Sequence, residues 1–238
     1  PAISPRATAL ADGPLAWWYE ADTRARRAFI AASLGWMLDS FDVMLYSLVL
    51  ASLLQDPALQ LTTAVAGQLG ALTLLAAAVG GVAFGVIADR IGRKRALMAA
   101  VLTYSVFTGL CYFAAEPWHL GALRFTAALG MGGEWSLGVA LVMECWPEKH
   151  RPILAGVIGA AANVGFVLIA VLGAYFKVTT TSWRWVMVAG AAPAFLTFLI
   201  QIFVPESERW KAAVKHSTLS PLAEVFSPAL IKRTLLAI

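Results

Sequence analysis

Long apolar runs separated by short polar segments fill most of the chain. A helix needs about 20 apolar residues to cross a hydrocarbon layer about 30 Å thick, and six of the runs reach that length. The segments between them are short, so neighbouring helices are expected to pack antiparallel. The pattern predicts spans over residues 28–54, 64–88, 96–115, 118–145, 152–175 and 184–204. A further apolar run begins near Ala229.

The composition agrees with a membrane protein. Hydrophobic residues make up 60% of the 238 residues and charged residues 13%, whereas a soluble domain carries about 25% charged residues. The two cysteines, Cys111 and Cys145, lie within or at the end of apolar runs and show no metal-binding spacing. We therefore expect an all-α, multi-pass membrane protein in a lipid bilayer, without a metal or other cofactor.

Basic residues collect on alternate sides of the predicted spans. If the N-terminus is cytoplasmic, fifteen Lys and Arg residues fall on the cytoplasmic side and only Lys177 and Arg184 on the other, while Arg124 lies inside a span. Cytoplasmic segments of membrane proteins are enriched in Lys and Arg. This predicts a cytoplasmic N-terminus. We expect the membrane to be a cell membrane, namely a bacterial inner membrane. The net charge of +4 then reflects membrane topology and gives no reason to expect a nucleic-acid partner.

Two acidic residues interrupt the first apolar run, in the stretch GWMLDSFDVMLY at residues 35–46. Asp39 and Asp42 are three residues apart and share one helix face, which Tyr46 extends. A charge at the middle of a membrane costs about 2.5–3.5 kcal/mol, so both are expected to face protein, water or a counter-charge. Burial disfavours the ionised form of a carboxylate, which suits a proton-coupling site. The alternative is a structural pair that fixes the first helix against a neighbour.

Arg124 in the fourth run is the predicted partner of this acidic face. A helix rises about 1.5 Å per residue, so Asp42 lies about 21 Å from the start of its span. Arg124 lies about 9 Å from the start of its own span, which crosses the membrane in the opposite direction. In a core about 30 Å thick, both reach the same depth. Glu134 lies deeper and about 80° around the helix, so a direct Glu134–Arg124 pair is not expected. Arg124 could instead bind an anionic substrate through two hydrogen bonds, or serve as a structural charge.

Three motifs resemble those of the major facilitator superfamily. GVIADRIGRKRA at residues 85–96, between the second and third runs, resembles the signature loop of that family. RFTAALGMGGEWSLGVALVMECWPEKHR at residues 124–151 is similar to its fourth span and the loop that follows. PESERW at residues 205–210 is similar to the motif that ends its N-terminal half. The resemblance implies the six-helix N-terminal half of a twelve-helix transporter fold, with the missing C-terminal half as its partner.

This resemblance divides the chain into four parts. It implies a cytoplasmic tail over 1–27, a six-helix transporter domain over 28–204, the start of a central cytoplasmic linker over 205–228, and the beginning of a seventh membrane helix over 229–238. The sequence is therefore expected to be a fragment of a longer carrier.

The resemblance also implies a salt-bridge network at the cytoplasmic face. In carriers of this superfamily such a network holds the outward-open state and breaks when the carrier rocks. The residues that would form it lie in the signature loop, around the fourth-to-fifth connection and after the sixth run: Gly85, Asp89, Arg90, Gly92, Arg93, Glu144, Arg151 and Glu206. The alternative is a set of solvated charges with no gating role, since exposed ion pairs contribute only about 0–1 kcal/mol.

Two short motifs narrow the resemblance. LDSFDVMLY and GMGGEW look most like the proton-coupled organic-acid carriers, namely the lactate and sialate type and the metabolite–proton symporters. This implies symport of protons with a small organic anion, such as a monocarboxylate or sialate. The residues expected to bind protons and substrate are Asp39, Asp42, Tyr46, Arg124 and Glu134.

Other functions stay open at this point. A uniporter or a drug–proton antiporter could use the same fold, although the fifth run reads GVIGAAANVGF and lacks the Gly-Pro-x-x-Gly-Gly signature of the antiporters. A sensor that does not transport is a further alternative. An intramembrane aspartyl protease is excluded because Asp39 and Asp42 lie on one helix and cannot face each other, so no enzymatic activity is predicted.

Overall fold

Helices account for the regular secondary structure of the described residues. The structure, a computed structural model, describes residues 16–204 and 206–214, so the predicted seventh run and most of the tail and linker lie outside it. No strand occurs within these two ranges. The helices are α1 (Ala16–Glu20), α2 (Thr23–Gln55), α3 (Thr63–Ile91), α4 (Arg93–Leu110), α5 (Pro117–Cys145), α6 (Arg151–Tyr175), α7 (Trp183–Ala189), α8 (Ala194–Phe203) and α9 (Glu208–Val214). Short 3-10 helices cover Cys111–Phe113 and Glu148–His150.

Five of these helices match the first five predicted spans. Helices α2 to α6 are long and apolar enough to cross a membrane, α4 and α6 together with the adjoining 3-10 helices. α2 already begins at Thr23, where the Asp22 side chain caps the helix by accepting a 2.6 Å hydrogen bond from Ala25 N–H. Thr62 caps α3 in the same way, through a 3.3 Å bond from Val65 N–H. The chain thus forms a multi-pass helical membrane domain.

The sixth predicted span, residues 184–204, is not one continuous α-helix. Helices α7 and α8 are joined at residues 190–193, where Ala191 N–H donates to Val188 O at 2.9 Å. Such a bond reaches back three residues, as in a 3-10 helix. Pro193 has no N–H to donate to the carbonyl four residues before it, and its ring crowds that carbonyl. The proline therefore tightens and interrupts the helix within the span.

Glycines bring the backbones of α3 and α5 into contact. A Cβ atom at Gly80 would overlap the Leu129 backbone, and one at Gly132 would overlap the carbonyl of Ala77. Small residues permit such close helix packing within a membrane. α5 also packs against α2 and α4, so it lies at the centre of the bundle.

The bundle has two ends, called here the Asp56 end and the Gly92 end after residues in the α2–α3 and α3–α4 connections. Buried apolar side chains form a cluster toward each end. The cluster toward the Asp56 end includes Leu45 and Leu120, and the cluster toward the Gly92 end includes Leu137. The polar site described below lies between these clusters.

Candidate functional site

A buried ion pair joins α2 to α5. Arg124 Nη1 lies 3.1 Å from Asp42 Oδ2, and the exposed fractions of the two side chains are 3% and 0%. The same nitrogen donates to Thr108 Oγ1 at 3.3 Å, and the Arg124 guanidinium lies over the Tyr46 ring, 5.2 Å from its centroid. The Asp42–Arg124 pair predicted from the depths of the two residues is therefore present. Thr108 of α4 adds a hydrogen bond to Arg124.

Asp39 and Glu134 are buried carboxyl groups outside this pair. They are 4% and 3% exposed. Within the described part of the chain, Asp39 Oδ1 and both Glu134 oxygens lack a hydrogen-bond partner, although Tyr104 lies beside Glu134. Glu134 forms no ion pair with Arg124 in these ranges, as its rotation around the helix predicted. The site thus holds an arginine and several carboxyl groups where an unpaired charge is costly.

Gly35 makes room for the Glu134 side chain. It precedes Asp39 by one helical turn, and a Cβ atom there would overlap Glu134 Oε1. Any other residue at this position would displace the carboxyl group. In the sequence Gly35 belongs to the polar stretch of α2, but the reason for a glycine becomes visible only when α5 lies against it.

A cavity of about 450 Å³ opens beside the ion pair. Its wall comes from α2, α3 and α5 and includes Asp39, Tyr46 and Arg124. A volume of this size is typical of sites for small molecules. The rest of the wall is mostly apolar, with Trp36 and Trp135 as its largest side chains.

The two tryptophans lie within quoted motifs, GWMLDSFDVMLY and GMGGEW, but neither was predicted as a site residue. Trp36 and Trp135 are ring neighbours from different helices, with centroids 4.2 Å apart and planes inclined at 37°. Trp36 lies three residues before Asp39, and Trp135 directly follows Glu134. Their spacing from the acidic residues was the signal that could have identified them.

Charged residues meet at the Gly92 end, in the loop predicted to carry them. Arg93 forms ion pairs with Asp89 and, at 3.3 Å, with Glu144. These pairs join α3, α4 and α5. The three side chains are between 19% and 31% exposed, so the network is partly shielded from solvent.

Glu206 caps the start of α4 from a distant part of the chain. Its Oε1 accepts a hydrogen bond from Lys94 N–H at 3.1 Å. A Cβ atom at Gly92 would come within 2.9 Å of the Glu206 carboxyl carbon, and the φ angle of Gly92, +103°, also favours glycine. Trp210 Nε1 donates to Asp89 O at 2.9 Å. The segment after α8 is thus fastened to the α3–α4 connection.

Three residues predicted for this network lie outside it. Arg151 pairs at 3.1 Å with Glu148, which lies three residues before it, so the two side chains are neighbours on a helical turn. Arg90 is exposed and forms no ion pair within the described ranges. Gly85 has open space where its Cβ atom would lie, so no contact in these ranges requires a glycine there.

The opposite end of the bundle carries a second polar cluster, centred on Asp56. This residue is 6% exposed, and its Oδ2 accepts hydrogen bonds from Trp183 Nε1 at 2.9 Å and Arg184 Nη1 at 3.1 Å. Arg184 also donates to Ala114 O at 3.1 Å. Burial alone would raise the pKa of Asp56, but these bonds and one from Ala58 N–H hold that pKa below its ordinary value. The cluster joins the α2–α3 and α4–α5 connections to the start of α7. In the sequence, Arg184 was used only as evidence for the membrane topology.

Ionisable groups buried beside a cavity in a multi-pass helical bundle are typical of secondary transporters. A family model described as Major Facilitator Superfamily matches residues 29–238. The chain therefore belongs to the major facilitator superfamily, and it corresponds to the N-terminal half of that fold. The matched proteins are transporters and not enzymes.

Curated relatives are named for the transport of small metabolites. The chain is 37% identical over 155 residues to the inner membrane metabolite transport protein YgcS of Escherichia coli, covering 65% of this chain and 35% of the relative. It is 31% identical over 195 residues to the sialic acid transporter NanX of Escherichia coli, covering 82% and 47%. It is 33% identical over 194 residues to the cis,cis-muconate transport protein of Acinetobacter baylyi, covering 82% and 45%. The chain spans about half the length, or less, of these relatives.

A solved transporter structure shares the fold. The partially occluded, inward-open conformation of the xylose transporter XylE from Escherichia coli matches with a TM-score of 0.72 at 18% sequence identity, over 91% of this chain and 57% of that chain. At this identity the likeness shows the fold alone. The all-α N-terminal half of a major facilitator fold, predicted from the sequence, is confirmed.

Proposed function

We propose that this chain is the N-terminal half of a proton-coupled symporter for a small organic anion. The Arg124–Asp42 ion pair beside the cavity carries the proposal, because it holds a cation where a substrate can reach it and a carboxyl group against that cation. A C-terminal half would complete the cavity at the midplane of the bilayer. The Gly92 end would be cytoplasmic, because Lys and Arg collect on that side. The relative YgcS of Escherichia coli is named as an inner membrane protein, which supports a bacterial inner membrane.

Arg124 is the group proposed to bind the anion. A guanidinium binds a carboxylate through two parallel hydrogen bonds. Arg124 Nη1 contacts Asp42 and Thr108, whereas the buried Nε has no hydrogen-bond partner in the described ranges. The buried hydroxyl of Tyr46 also lacks a partner there. A carboxylate in the cavity would supply acceptors for both side chains.

The balance of charges in the site supports proton coupling. Arg124 supplies one positive charge, while Asp39, Asp42 and Glu134 are carboxyl groups buried around it. With all these carboxyl groups ionised, the site would repel a carboxylate substrate. Protonation removes the repulsion and the cost of burying unpaired charges. Substrate and protons would then enter the site together, which is symport.

The relatives support an anionic substrate. NanX and the muconate protein are named for organic acids, and both names denote molecules with carboxylate groups. A carboxylate is also the group that the Arg124 guanidinium would bind. We therefore infer an organic acid as the substrate class.

We propose that the Arg93 network closes the cytoplasmic side of the outward-open carrier. Its ion pairs are partly shielded, so they should contribute more than the about 0–1 kcal/mol of exposed pairs. Opening that side would separate Arg93 from its partners or move Glu206 from the start of α4. The gating residues in this proposal are Asp89, Gly92, Arg93, Glu144 and Glu206.

Uptake by the full-length carrier in liposomes tests the proposed function. Labelled lactate, sialate, benzoate, shikimate and a neutral sugar would be offered with and without an inward proton gradient. We expect saturable uptake of at least one anion, driven by the gradient and abolished by a protonophore. Arg124→Lys should abolish it, because lysine cannot form the paired hydrogen bonds of a guanidinium. Arg95→Lys, at an exposed position outside the cavity, is the matched control.

Three contrary outcomes correspond to the alternative functions. Anion uptake that is equal with and without the gradient would indicate a uniporter. Proton-driven export of drugs would indicate an antiporter, and binding without flux would indicate a sensor. Each of these results would overturn the symport proposal.

A further inference from the structure

Two tryptophans form an aromatic wall in the cavity. Trp36 from α2 and Trp135 from α5 have ring centroids 4.2 Å apart, and both line the cavity together with Arg124. Trp135 is 37% exposed, and Trp36 is half-buried. The pair therefore presents an indole surface to any molecule that occupies the cavity.

The indoles and the guanidinium lie toward opposite ends of the cavity. Trp135 follows Arg124 by eleven residues, which corresponds to about 16 Å along the helix axis toward the Gly92 end. The guanidinium lies over Tyr46, nearer to the Asp56 end. A ligand whose carboxylate contacts Arg124 can therefore extend its body toward the indoles.

Few groups in this wall suit a ligand with many hydroxyl groups. Apart from Arg124 and Asp39, its polar groups are the hydroxyls of Tyr46, Ser47 and Thr73 and the N–H groups of the two indoles, and Thr73 already donates to Leu69 O at 2.8 Å. A ligand hydroxyl left unpaired against apolar side chains is costly. A planar, conjugated body avoids that cost and gains from stacking on an indole.

We propose that the Trp36–Trp135 pair selects organic anions with a planar, conjugated body, which stacks on the indoles while the carboxylate binds Arg124. This inference rests on the proposed function, because it names the class of anion that the same site takes. It requires the carrier to discriminate between anions of equal charge and similar size that differ in planarity.

Equilibrium binding to the purified full-length carrier tests this inference without depending on flux. The probes must be long enough to reach from Arg124 to the indoles, so 5-phenylpenta-2,4-dienoate is compared with 5-cyclohexylpentanoate. The two acids share one carbon skeleton and one carboxylate, but only the dienoate is planar and conjugated. We expect calorimetry to give a Kd for the dienoate at least about 5-fold lower than that for 5-cyclohexylpentanoate. Trp36→Leu and Trp135→Leu should remove the difference by raising the Kd for the dienoate alone. Trp135→Phe should keep part of the preference, since phenylalanine also stacks.

Trp118→Leu is the matched control, because Trp118 is 64% exposed and does not line the cavity. Melting temperatures would identify variants that fail to fold. If the leucine variants fail, the milder Trp135→Phe decides the question through its reduced preference for the dienoate.

Four results would overturn the inference: equal affinity of the wild-type carrier for the two long acids, binding of neither, tighter binding of sialate than of the dienoate, or an unchanged preference in the folded tryptophan variants. The proposed function fails by a different result, the absence of proton-driven uptake of any anion. Proton-driven uptake without a preference for planar acids would therefore reject this inference and leave the proposed function intact.

Discussion

Asp42 and Arg124 face each other across the contact between α2 and α5, 3.1 Å apart and almost completely buried. Removing one member of a buried pair leaves the other charge uncompensated, at a cost of about 3–5 kcal/mol. Arg124 therefore needs an anionic partner at every stage of a transport cycle. In our account the substrate carboxylate replaces Asp42 as the anionic partner of Arg124 when Asp42 binds a proton. Substrate binding and proton binding are thereby coupled through one arginine.

The Asp42→Asn variant of the full-length carrier should lose proton-driven accumulation but keep part of its counterflow exchange. Asparagine has nearly the shape of aspartate but cannot bind and release a proton. Accumulation and exchange would be measured in the same liposomes. Asp22→Asn is the control, because asparagine caps a helix as well as aspartate does and Asp22 caps α2. Unchanged accumulation in both Asp42→Asn and Asp39→Asn would remove these carboxylates from the mechanism.

Gly92→Ala should destabilise the Gly92 end. Alanine is strained at a φ of +103°, and its methyl group would push Glu206 away from Lys94 N–H. We expect a loss of about 1–3 kcal/mol, seen as a lower melting temperature. Gly67→Ala in α3 is the control, because its Cβ atom would meet open space and alanine is favoured over glycine within a helix by about 0.8–1.0 kcal/mol. Equal melting temperatures for the two variants would contradict this account of Gly92.

Acidification should weaken the Asp56 end. The pKa of Asp56 is held below its ordinary value in the folded protein. Its hydrogen bonds therefore contribute stability above the unfolded-state pKa of about 3.9, and that contribution is lost as the pH falls through the folded-state pKa. Asp56→Asn should be less stable than the wild type by about 2 kcal/mol at pH 7, and the difference should shrink on acidification. A stability difference that does not change with pH would contradict the prediction.

The predicted topology can be tested by labelling introduced thiols. With Cys111 and Cys145 replaced by serine, single cysteines at Ser4 and Thr180 should react with an impermeant reagent from opposite sides of the membrane. The reason is the concentration of Lys and Arg on the side of the tail. Labelling of both positions from outside would contradict a cytoplasmic N-terminus.

Backbone geometry alone was sufficient to predict the Asp42–Arg124 pair. Helix rise and antiparallel direction fix the depth of each residue, and neither depends on the details of packing. The spacing of Trp36 and Trp135 from the acidic residues is visible in the sequence, but the contact between their rings could not be derived in this way, because it depends on how closely α2 and α5 approach. That approach is set by contacts between helices, which leave no periodic pattern in the sequence.

Local interactions explain where the sequence predictions differ from the structure. Arg151 was predicted to join the network at the Gly92 end, but it pairs with Glu148, three residues away. Pro193 interrupts the sixth span, although the apolar run around it is continuous. In both cases contacts between residues that are close in the sequence determine the local structure. The family resemblance describes only the arrangement that is typical of the family.

The central claim is that protons and an organic anion cross the membrane in the same direction, and proton movement during uptake tests it most directly. The full-length carrier would be placed in liposomes in a weakly buffered medium, with protein-free liposomes as the control for passive diffusion of the acid. Addition of a transported anion should make the external medium more alkaline, with a smaller change per anion for Glu134→Gln. Saturable anion uptake with no change in external pH, or with acidification, would contradict the account.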